Sequence, residues 1–237
     1  MSRMDGREND QLRPVEIIPH VNKFAEGSCL IRFGNTHVLC TASVEDNPPR
    51  HVPEGEGWVT AEYSMLPRAN RERSRRDISK LKLSGRSAEI QRLIGRSLRA
   101  VVDRKKLGPW NITVDCDVLQ GDGGTRTASI TGGYVALALA LKRMEELGQL
   151  NAWPLTGQVA AVSAGVVGDV PMLDLCYEED SSAMVDFNCV MDGEGRLIEL
   201  QGTGEGRPFT LAEQQRLVEL CAKGIRELQA AQRAVLD

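Results

Sequence analysis

The sequence predicts an α+β protein made of two halves, each with its own sheet and helices. Runs of alternating apolar and polar residues, typical of half-buried strands, occur in both parts of the 237-residue chain. In each part, the strands accompany a long segment with apolar residues at helical spacing. We expect the first half to span residues 1–150, the second to span residues 151–237, and the two to form one compact core.

The first half is predicted to contain a hairpin, two further strands and two helices. Gly34 and Asn35 separate two apolar, β-branched runs, which is a strong hairpin signal. The four predicted strands lie at residues 28–33, 36–44, 58–63 and 111–119. Apolar residues from Ile90 to Val102 mark the first helix. The second helix is predicted from about residue 127 to 147, with Ile130, Tyr134, Leu137 and Leu141 on one apolar face.

The second half is predicted to contain four strands followed by a terminal helix. The strands are expected near residues 158–167, 171–176, 182–190 and 196–201. The helix is expected from residue 211 to about 231. Thr210 and Glu213 have the spacing of a capping box, which marks the start of that helix.

The composition excludes several classes of protein. The net charge is −4 and aromatic residues make up 4%, so the chain is not a basic nucleic-acid wrapper and has few rings for stacking bases. No apolar run reaches the length of a transmembrane helix, and the polar N-terminus is unlike a secretory signal. Three histidines and six cysteines form no zinc or triad pattern. We expect a cytoplasmic protein with no membrane partner.

Charge is distributed unevenly along the chain. Residues 68–106 contain fourteen basic and four acidic residues, whereas residues 174–205 contain nine acidic residues and one arginine. A basic segment inside an acidic protein suggests a site for a polyanion, although a solvated helix face is the alternative. Arg86 falls one turn before Ile90, which places it near the inward face of its helix.

A glycine-rich loop, GDGGTR at residues 121–126, follows a predicted strand and precedes a predicted helix. Amide groups at a helix N-terminus suit a phosphate, and Arg126 adds a charged fork while Thr125 adds a hydroxyl. The loop has neither the Gly-Lys-Ser/Thr of a Walker A motif nor the third glycine of GxGxxG. It is therefore a candidate oxyanion site, with a purely structural turn as the alternative.

Four carboxylates, at Asp174, Glu178, Asp180 and Asp186, are separated by even numbers of residues. In an extended backbone they would share one face, and an inward carboxylate is costly unless it is paired or binds a cation. Paired carboxylates suit Mg²⁺ or Mn²⁺. The alternative is that Asp186 forms a structural salt bridge and that residues 178–180 form a solvated turn.

Three motifs together resemble the ribonuclease PH family, namely LSGRS at 83–87, QGDGGTRTAS at 120–129 and DLCYEEDSSAMVDFN at 174–188. MDGR at 4–7, the Gly27-Ser28 pair and the basic residues 68–76 agree with this resemblance, which covers essentially the whole chain. It implies a core similar to domain 2 of ribosomal protein S5 and a homohexamer, a trimer of dimers. It also implies a nucleotidyltransferase that uses inorganic phosphate to trim the 3′ ends of tRNA precursors.

The resemblance also implies roles for individual residues. Inorganic phosphate would be held by Arg86, Gly124, Thr125 and Arg126. Asp180 and Asp186 would bind Mg²⁺ or Mn²⁺ and serve the leaving ribose oxygen. The tRNA body would contact Arg68, Arg73 and Arg76. Two other classes remain open at this point: a catalytically silent RNA-binding ring subunit, and a metal nuclease that uses water.

Overall fold

The computed structural model describes residues 3–76 and 84–237 and has an α+β architecture with two sheets, which confirms the predicted class. The strands are β1 (Val15–Pro19), β2 (Gly27–Phe33), β3 (Thr36–Glu45), β4 (Trp58–Met65), β5 (Asn111–Gln120), β6 (Val159–Val167), β7 (Val170–Leu173), β8 (Val185–Asp192) and β9 (Leu197–Gly204). The helices are α1 (Gly85–Arg99), α2 (Arg104–Leu107), α3 (Thr125–Glu146), α4 (Tyr177–Asp180) and α5 (Leu211–Leu236).

The first sheet has the order β1-β2-β3-β5-β4. The predicted hairpin is confirmed: β2 and β3 pair antiparallel around Gly34 and Asn35, with Phe33 opposite Thr36. β4 runs parallel to β5, and this is the one parallel pair among the described strands. α1 packs against β4, so its apolar stripe covers this edge of the sheet.

The second sheet has the order β7-β6-β8-β9, with antiparallel neighbours throughout. α5 packs against β6 and β7 and also reaches β1 of the first sheet. The capping box predicted from Thr210 and Glu213 is present at the start of α5. The strands of the first sheet end before residue 150 and those of the second begin after it, while the division of the chain into two domains at that residue stays a prediction.

α3 lies between the two sheets and contacts β2, β3 and β6. Its residues are buried on nearly all sides, including Ile130, Leu137 and Leu141 on the predicted face and Val135 and Leu139 away from it. The expectation of a single apolar face was therefore incomplete, because a helix between two sheets needs apolar or small residues all round. Among the described helices, none combines the length and apolar character needed to cross a lipid bilayer.

The connection from β7 to β8 differs from the predicted extended run. β7 ends at Leu173, Asp174 has a positive φ of 52°, and residues 177–180 form α4. Even spacing therefore does not place the four acidic residues of this stretch on one face. The predicted common face was wrong because a left-handed residue and a helical turn interrupt the strand period.

Candidate active site

The predicted phosphate and metal residues lie together around one cavity of about 400 Å³. The first turns of α1 and α3 form one side of it, and α4 and the start of β8 contribute the acidic side chains. The lining residues are Met65, Asn70, Arg86, Gly121, Gly123, Gly124, Thr125, Arg126, Ser163, Tyr177, Asp180, Asp186 and Asn188. All six residues that the resemblance implied for phosphate and metal are among them.

The glycine loop joins β5 to α3 through two residues in the left-handed region. Gly123 has φ 76° and Gly124, the N-cap of α3, has φ 66°. A Cβ on Gly123 would lie 2.4 Å from the Leu175 carbonyl oxygen, so that position excludes larger residues. The loop thus delivers the unpaired amides of the first turn of α3 to the cavity, where they can bind an anion.

Arg126 reaches the cavity from the first turn of α3, and its guanidinium is mostly buried. Its Nη1 donates to Oε1 of Gln201 at 3.0 Å and lies 3.5 Å from Oε1 of Glu89. Arg86 lines the same cavity from the first turn of α1, after the N-cap Ser84. Two guanidiniums from different helices therefore face one space, which is suited to a dianion.

Thr125 is buried at the start of α3, and its Oγ1 lies 2.9 Å from the Tyr63 hydroxyl on β4. Burial raises the pKa of Tyr63, while the Thr125 hydrogen bond and then Arg86 and Arg126 act in the opposite direction. Tyr63 therefore stays a neutral phenol and can donate to Thr125. In that orientation the Thr125 hydroxyl is available to donate to a bound oxyanion.

Asp180 and Asp186 are half-buried carboxylates on the acidic side of the cavity. Burial and then the charge of Asp186 raise the pKa of Asp180, and burial likewise raises the pKa of Asp186. Arg126 and Arg86 lower both pKa values, which places the guanidiniums within electrostatic range of both carboxylates. The side chain of Asn188 donates to Asp186 at 3.2 Å.

The two carboxylates fit a divalent metal ion. Within the described part of the chain, neither forms a salt bridge and no three acidic, histidine or cysteine groups cluster as a ligand set. Mg²⁺ commonly uses one or two protein carboxylates and completes its shell with water and phosphate oxygens. Burial and then the charge of Asp186 raise the pKa of Asp180, and a bound cation would offset that repulsion.

The other two acidic residues of the predicted face lie elsewhere. Asp174 is buried and its Oδ1 accepts from Arg13 Nη2 at 2.6 Å, whereas Glu178 is exposed and pairs with Arg71. Glu179 holds α4 in place, because its Oε1 and Oε2 accept from Arg3 Nε and Nη2 at 2.8 and 2.6 Å. Among the described residues, Asp186 therefore lacks the salt bridge that was its alternative, and only Glu178 of residues 178–180 is exposed as in a solvated turn.

The basic segment after β4 is described only as far as residue 76. Arg68, Arg73 and Arg76 are all exposed there. Arg68 lines a second cavity that shares Asn70 and Gly121 with the first, and Arg76 is close enough to lower the pKa of Asp117, whose burial raises it. Residues 77–82 of the basic segment, and Leu83 of the LSGRS motif, lie outside the described residues.

Several residues of the site were not predicted from the sequence. Asn188 lies two residues after Asp186 on β8. Because alternate residues of a strand share one face, this spacing could have identified Asn188. Tyr63 could have been placed on the inward face of β4 in the same way. Gln201, which contacts Arg126, and Ser163, which lines the cavity, carry no comparable signal, because the position of their strands next to α3 depends on the tertiary fold.

A cavity lined by two guanidiniums, a glycine-rich helix start and two carboxylates, in a core of two sheets around a central helix, is suited to a protein that handles phosphate groups. Two family models match the chain: 3′ exoribonuclease family, domain 1, over residues 11–142, and domain 2 over residues 157–224. The chain belongs to this 3′ exoribonuclease family. The expected family and enzyme class are thereby confirmed.

Relatives of known sequence and structure agree with this assignment. The chain is 58% identical over 235 residues to ribonuclease PH of Caulobacter vibrioides, covering 99% of both proteins. An Archaeoglobus fulgidus exosome structure with RNA bound to the active site is similar at 25% identity and a TM-score of 0.81, over 97% of this chain and 92% of that one. Rice Rrp46, at 18% identity and TM-score 0.81 over 99% and 100%, shares the fold.

Proposed function

We propose that this chain is a phosphate-dependent 3′→5′ exoribonuclease that trims the 3′ ends of tRNA precursors and of other RNAs. One observation carries the proposal: a single cavity brings together Arg86, Arg126, the glycine loop and two carboxylates. Membership of the 3′ exoribonuclease family and full-length similarity to ribonuclease PH support the same reaction. A hydrolytic nuclease would need the carboxylates but would leave the oxyanion pocket without a use.

In this reaction inorganic phosphate replaces water as the attacking group. Phosphate binds to Arg86, Arg126, the amide of Gly124 and the hydroxyl of Thr125. One of its oxygens attacks the phosphorus of the 3′-terminal phosphodiester in line, and the bond from that phosphorus to the preceding 3′ oxygen breaks. The products are a nucleoside 5′-diphosphate and an RNA one nucleotide shorter. In the reverse direction, a nucleoside diphosphate extends the RNA and phosphate is released.

The residues of the site mainly overcome repulsion between two anions. Phosphate is already an anionic nucleophile, so the reaction needs neither a histidine base nor a serine nucleophile. The guanidiniums offset the repulsion, and binding in one cavity lowers the entropic cost of bringing the reactants together. Asp180 and Asp186 would hold Mg²⁺ or Mn²⁺, which supplies positive charge to the reacting oxygens. One of the two aspartates can also help to transfer a proton to the leaving 3′ oxygen.

We also propose that the chain works in the cytoplasm as a homohexamer, a trimer of dimers. The full-length similarity to ribonuclease PH supports this proposal, because the resemblance to that family is what implies the assembly. Six free cysteines, five of them buried, suit a reducing compartment. Light scattering across a range of protein concentrations tests the hexamer, and a monomer or dimer at all concentrations would contradict it.

Product analysis tests the proposed reaction directly. The protein is incubated with a 3′-labelled tRNA precursor and Mg²⁺, with and without inorganic phosphate, and the released nucleotides are separated by thin-layer chromatography. We expect nucleoside 5′-diphosphates, released only when phosphate is present. Nucleoside monophosphates released without phosphate would show hydrolysis, and no release of any nucleotide would favour a silent RNA-binding subunit.

An arginine substitution tests the assignment of the pocket. Arg126→Ala should lower phosphate-dependent trimming by at least about a hundredfold, since it removes a charged donor aimed at the reacting anion. Binding of tRNA should remain close to that of the unsubstituted protein. Arg143→Ala, at the other end of α3, is the matched control and should trim normally. Unchanged turnover in Arg126→Ala would eliminate the assignment.

A further inference from the structure

The peptide groups of the glycine loop are held by side chains behind the cavity. The carbonyl oxygen of Asp122 accepts a hydrogen bond from Arg13 Nη1. That of Gly123 accepts from Thr36 Oγ1 at 2.6 Å and from Arg13 Nη2 at 3.4 Å. Both carbonyl groups therefore point toward Arg13 and Thr36, which do not line the phosphate cavity.

The orientation of these carbonyls determines where the next two amides point. In a trans peptide the N–H group points opposite to the C=O group of the same peptide plane. The N–H groups of Gly123 and Gly124 therefore point away from Arg13 and Thr36, on the side where both glycines line the cavity. Within the described residues, neither amide donates to a protein acceptor, so both are available to an anion.

Arg13 cannot easily turn away from the loop, because Asp174 holds its guanidinium. Nε and Nη2 donate to Oδ2 and Oδ1 of Asp174 at 3.0 and 2.6 Å, and the backbone amide of Arg13 donates to Oδ2 at 2.8 Å. The side chains are 3% and 1% exposed, so the pair is shielded from solvent. The fork of an arginine binds Asp174 and the loop carbonyls through three separate nitrogens, whereas the three donors of an ammonium group share one nitrogen.

Thr36 holds the same loop because its hydroxyl both donates and accepts a hydrogen bond. It is fully buried at the start of β3, where Oγ1 donates to the Gly123 carbonyl and accepts from the Asp122 amide at 2.9 Å. One hydroxyl thus fixes two neighbouring peptide groups relative to the first sheet. Its contacts are with the backbone of the loop and leave the lining side chains of the cavity untouched.

We propose that Arg13 and Thr36 are positioning residues of the phosphate site, which turn the Gly123 and Gly124 amides toward a tetrahedral oxyanion. This inference rests on the proposed phosphorolytic function. Phosphate, as the attacking group, is the ligand that benefits from the two amides. Loss of the orientation should therefore weaken phosphate binding and leave the binding of RNA nearly unchanged. If the two residues had a purely structural role, their substitution would lower stability and would affect the binding of phosphate and of RNA alike.

Thr36→Val tests the proposal because it keeps the shape of the side chain and removes the hydroxyl. We expect the KM for inorganic phosphate to rise about tenfold, with kcat and the KM for RNA within about twofold of the unsubstituted enzyme. Thr36→Ser keeps the hydroxyl and should restore phosphate binding. A folded Thr36→Val enzyme with an unchanged phosphate KM would overturn the proposal.

Thr131→Val is a matched control for the loss of a buried hydroxyl. Thr131 on α3 is also fully buried, and its Oγ1 donates to the Ala161 carbonyl at 3.2 Å and accepts from the Ala161 amide at 3.1 Å. Thr131→Val should therefore lose a similar amount of thermal stability while its phosphate KM stays unchanged. Equal rises in phosphate KM for Thr36→Val and Thr131→Val would mean that the effect is one of general stability, and the proposal would fail.

Arg13→Lys provides a second variant that keeps the buried positive charge beside Asp174. Its single nitrogen cannot occupy the separate positions from which Arg13 binds the carboxylate and the loop, so the phosphate KM should again rise while circular dichroism reports a folded chain. The nucleotides released by the unsubstituted enzyme distinguish a failure of the positioning role from a failure of the proposed function. If it releases diphosphates and both variants keep its phosphate KM, only the positioning role is wrong. If it releases monophosphates without phosphate, the proposed function itself is wrong.

Discussion

Arg126 donates a hydrogen bond from Nη1 to Oε1 of Gln201, 3.0 Å away, and this contact joins the start of α3 to β9. The same nitrogen lies 3.5 Å from Oε1 of Glu89 on α1. Gln201 is a neutral acceptor and orients the guanidinium without cancelling its charge. Glu89 is a carboxylate and competes with any anion that approaches Arg126. The two neighbours should therefore have opposite effects on phosphate binding.

Substitutions at these two positions should shift the phosphate KM in opposite directions. Gln201→Leu removes the acceptor that orients Arg126, so we expect the phosphate KM to rise by about three- to tenfold. Glu89→Gln removes the competing charge and should lower the phosphate KM. Steady-state kinetics at varied phosphate and saturating RNA measure both effects. Gln215→Leu, at an exposed position of α5, is the control, and shifts of the same sign in both site variants would contradict the interpretation.

Asp186→Asn should make the protein more stable and less active. The raised pKa of Asp186 means that its ionised form is less favourable in the folded state than in the unfolded chain. That cost is absent at low pH, where both states are protonated, and is present above the folded-state pKa. Without divalent metal, the melting temperature of Asp186→Asn should therefore exceed that of the unsubstituted protein near neutral pH and match it in acid.

Metal dependence supplies the second readout for Asp186→Asn. A ligand that binds the folded state raises its melting temperature. Mg²⁺ should therefore stabilise the unsubstituted protein and have much less effect on the variant, whose trimming rate should be low at all Mg²⁺ concentrations. Asn188→Ala, which removes the hydrogen bond to Asp186 but keeps the carboxylate, should give an intermediate Mg²⁺ response. A variant that unfolds, or that keeps the full Mg²⁺ response, would argue against a metal role.

Local patterns were sufficient to predict most of the fold. The hairpin of β2 and β3 follows from Gly34 and Asn35 between two β-branched runs, and the start of α5 follows from its capping box. The run from Asp174 to Asp186 was misread because a period of two applies only while the backbone stays extended. The positive φ of Asp174 and the turn of α4 have no equivalent in the pattern of acidic residues.

The site was predictable where its motifs lie on continuous segments of chain. Gly124, Thr125 and Arg126 are adjacent, and the resemblance placed Arg86, Asp180 and Asp186 beside them. Residues that support these groups come from distant parts of the chain. Arg13 is 161 residues from its partner Asp174, and Gln201 is 75 residues from Arg126. Neither spacing nor local charge marks such contacts, because they exist only after both sheets have packed around α3.

Simultaneous substitution of Arg68, Arg73 and Arg76 by alanine should weaken binding of full-length tRNA more than cleavage of a short oligonucleotide. The three arginines are exposed, whereas the reacting groups lie in the cavity. Phosphate contacts make affinity fall with salt, by a log–log slope of about −0.7 for each single-strand contact. The variant should therefore show a shallower salt dependence for tRNA binding, measured by filter binding.

The control for this triple variant removes the same charge elsewhere. Arg216, Arg226 and Arg233 are exposed on α5, and their triple alanine variant should bind tRNA with nearly the original salt slope. Equal losses of tRNA binding and oligonucleotide cleavage in the Arg68, Arg73 and Arg76 variant would count against a contact surface that lies away from the reacting groups.

Asp115 should make the stability of the protein depend on pH in a direction opposite to that of a salt-bridged carboxylate. It lies on β5 between Thr41 of β3 and Glu62 of β4. Burial, then Glu62 and Asp117, raise its pKa from 3.8 to about 6. The folded state therefore binds this proton more tightly than the unfolded chain, and the associated stability is lost as pH rises through that range.

Asp115→Asn should remove this loss, because the amide stays neutral at every pH. Its melting temperature should exceed that of the unsubstituted protein above about pH 6 and converge with it below about pH 4, where the carboxyl is protonated in both states. Asp46→Asn, an exposed position directly after β3, is the control and should track the unsubstituted protein throughout. If the difference in melting temperature between Asp115→Asn and the unsubstituted protein does not change between about pH 4 and pH 6, Asp115 titrates like an ordinary surface carboxylate.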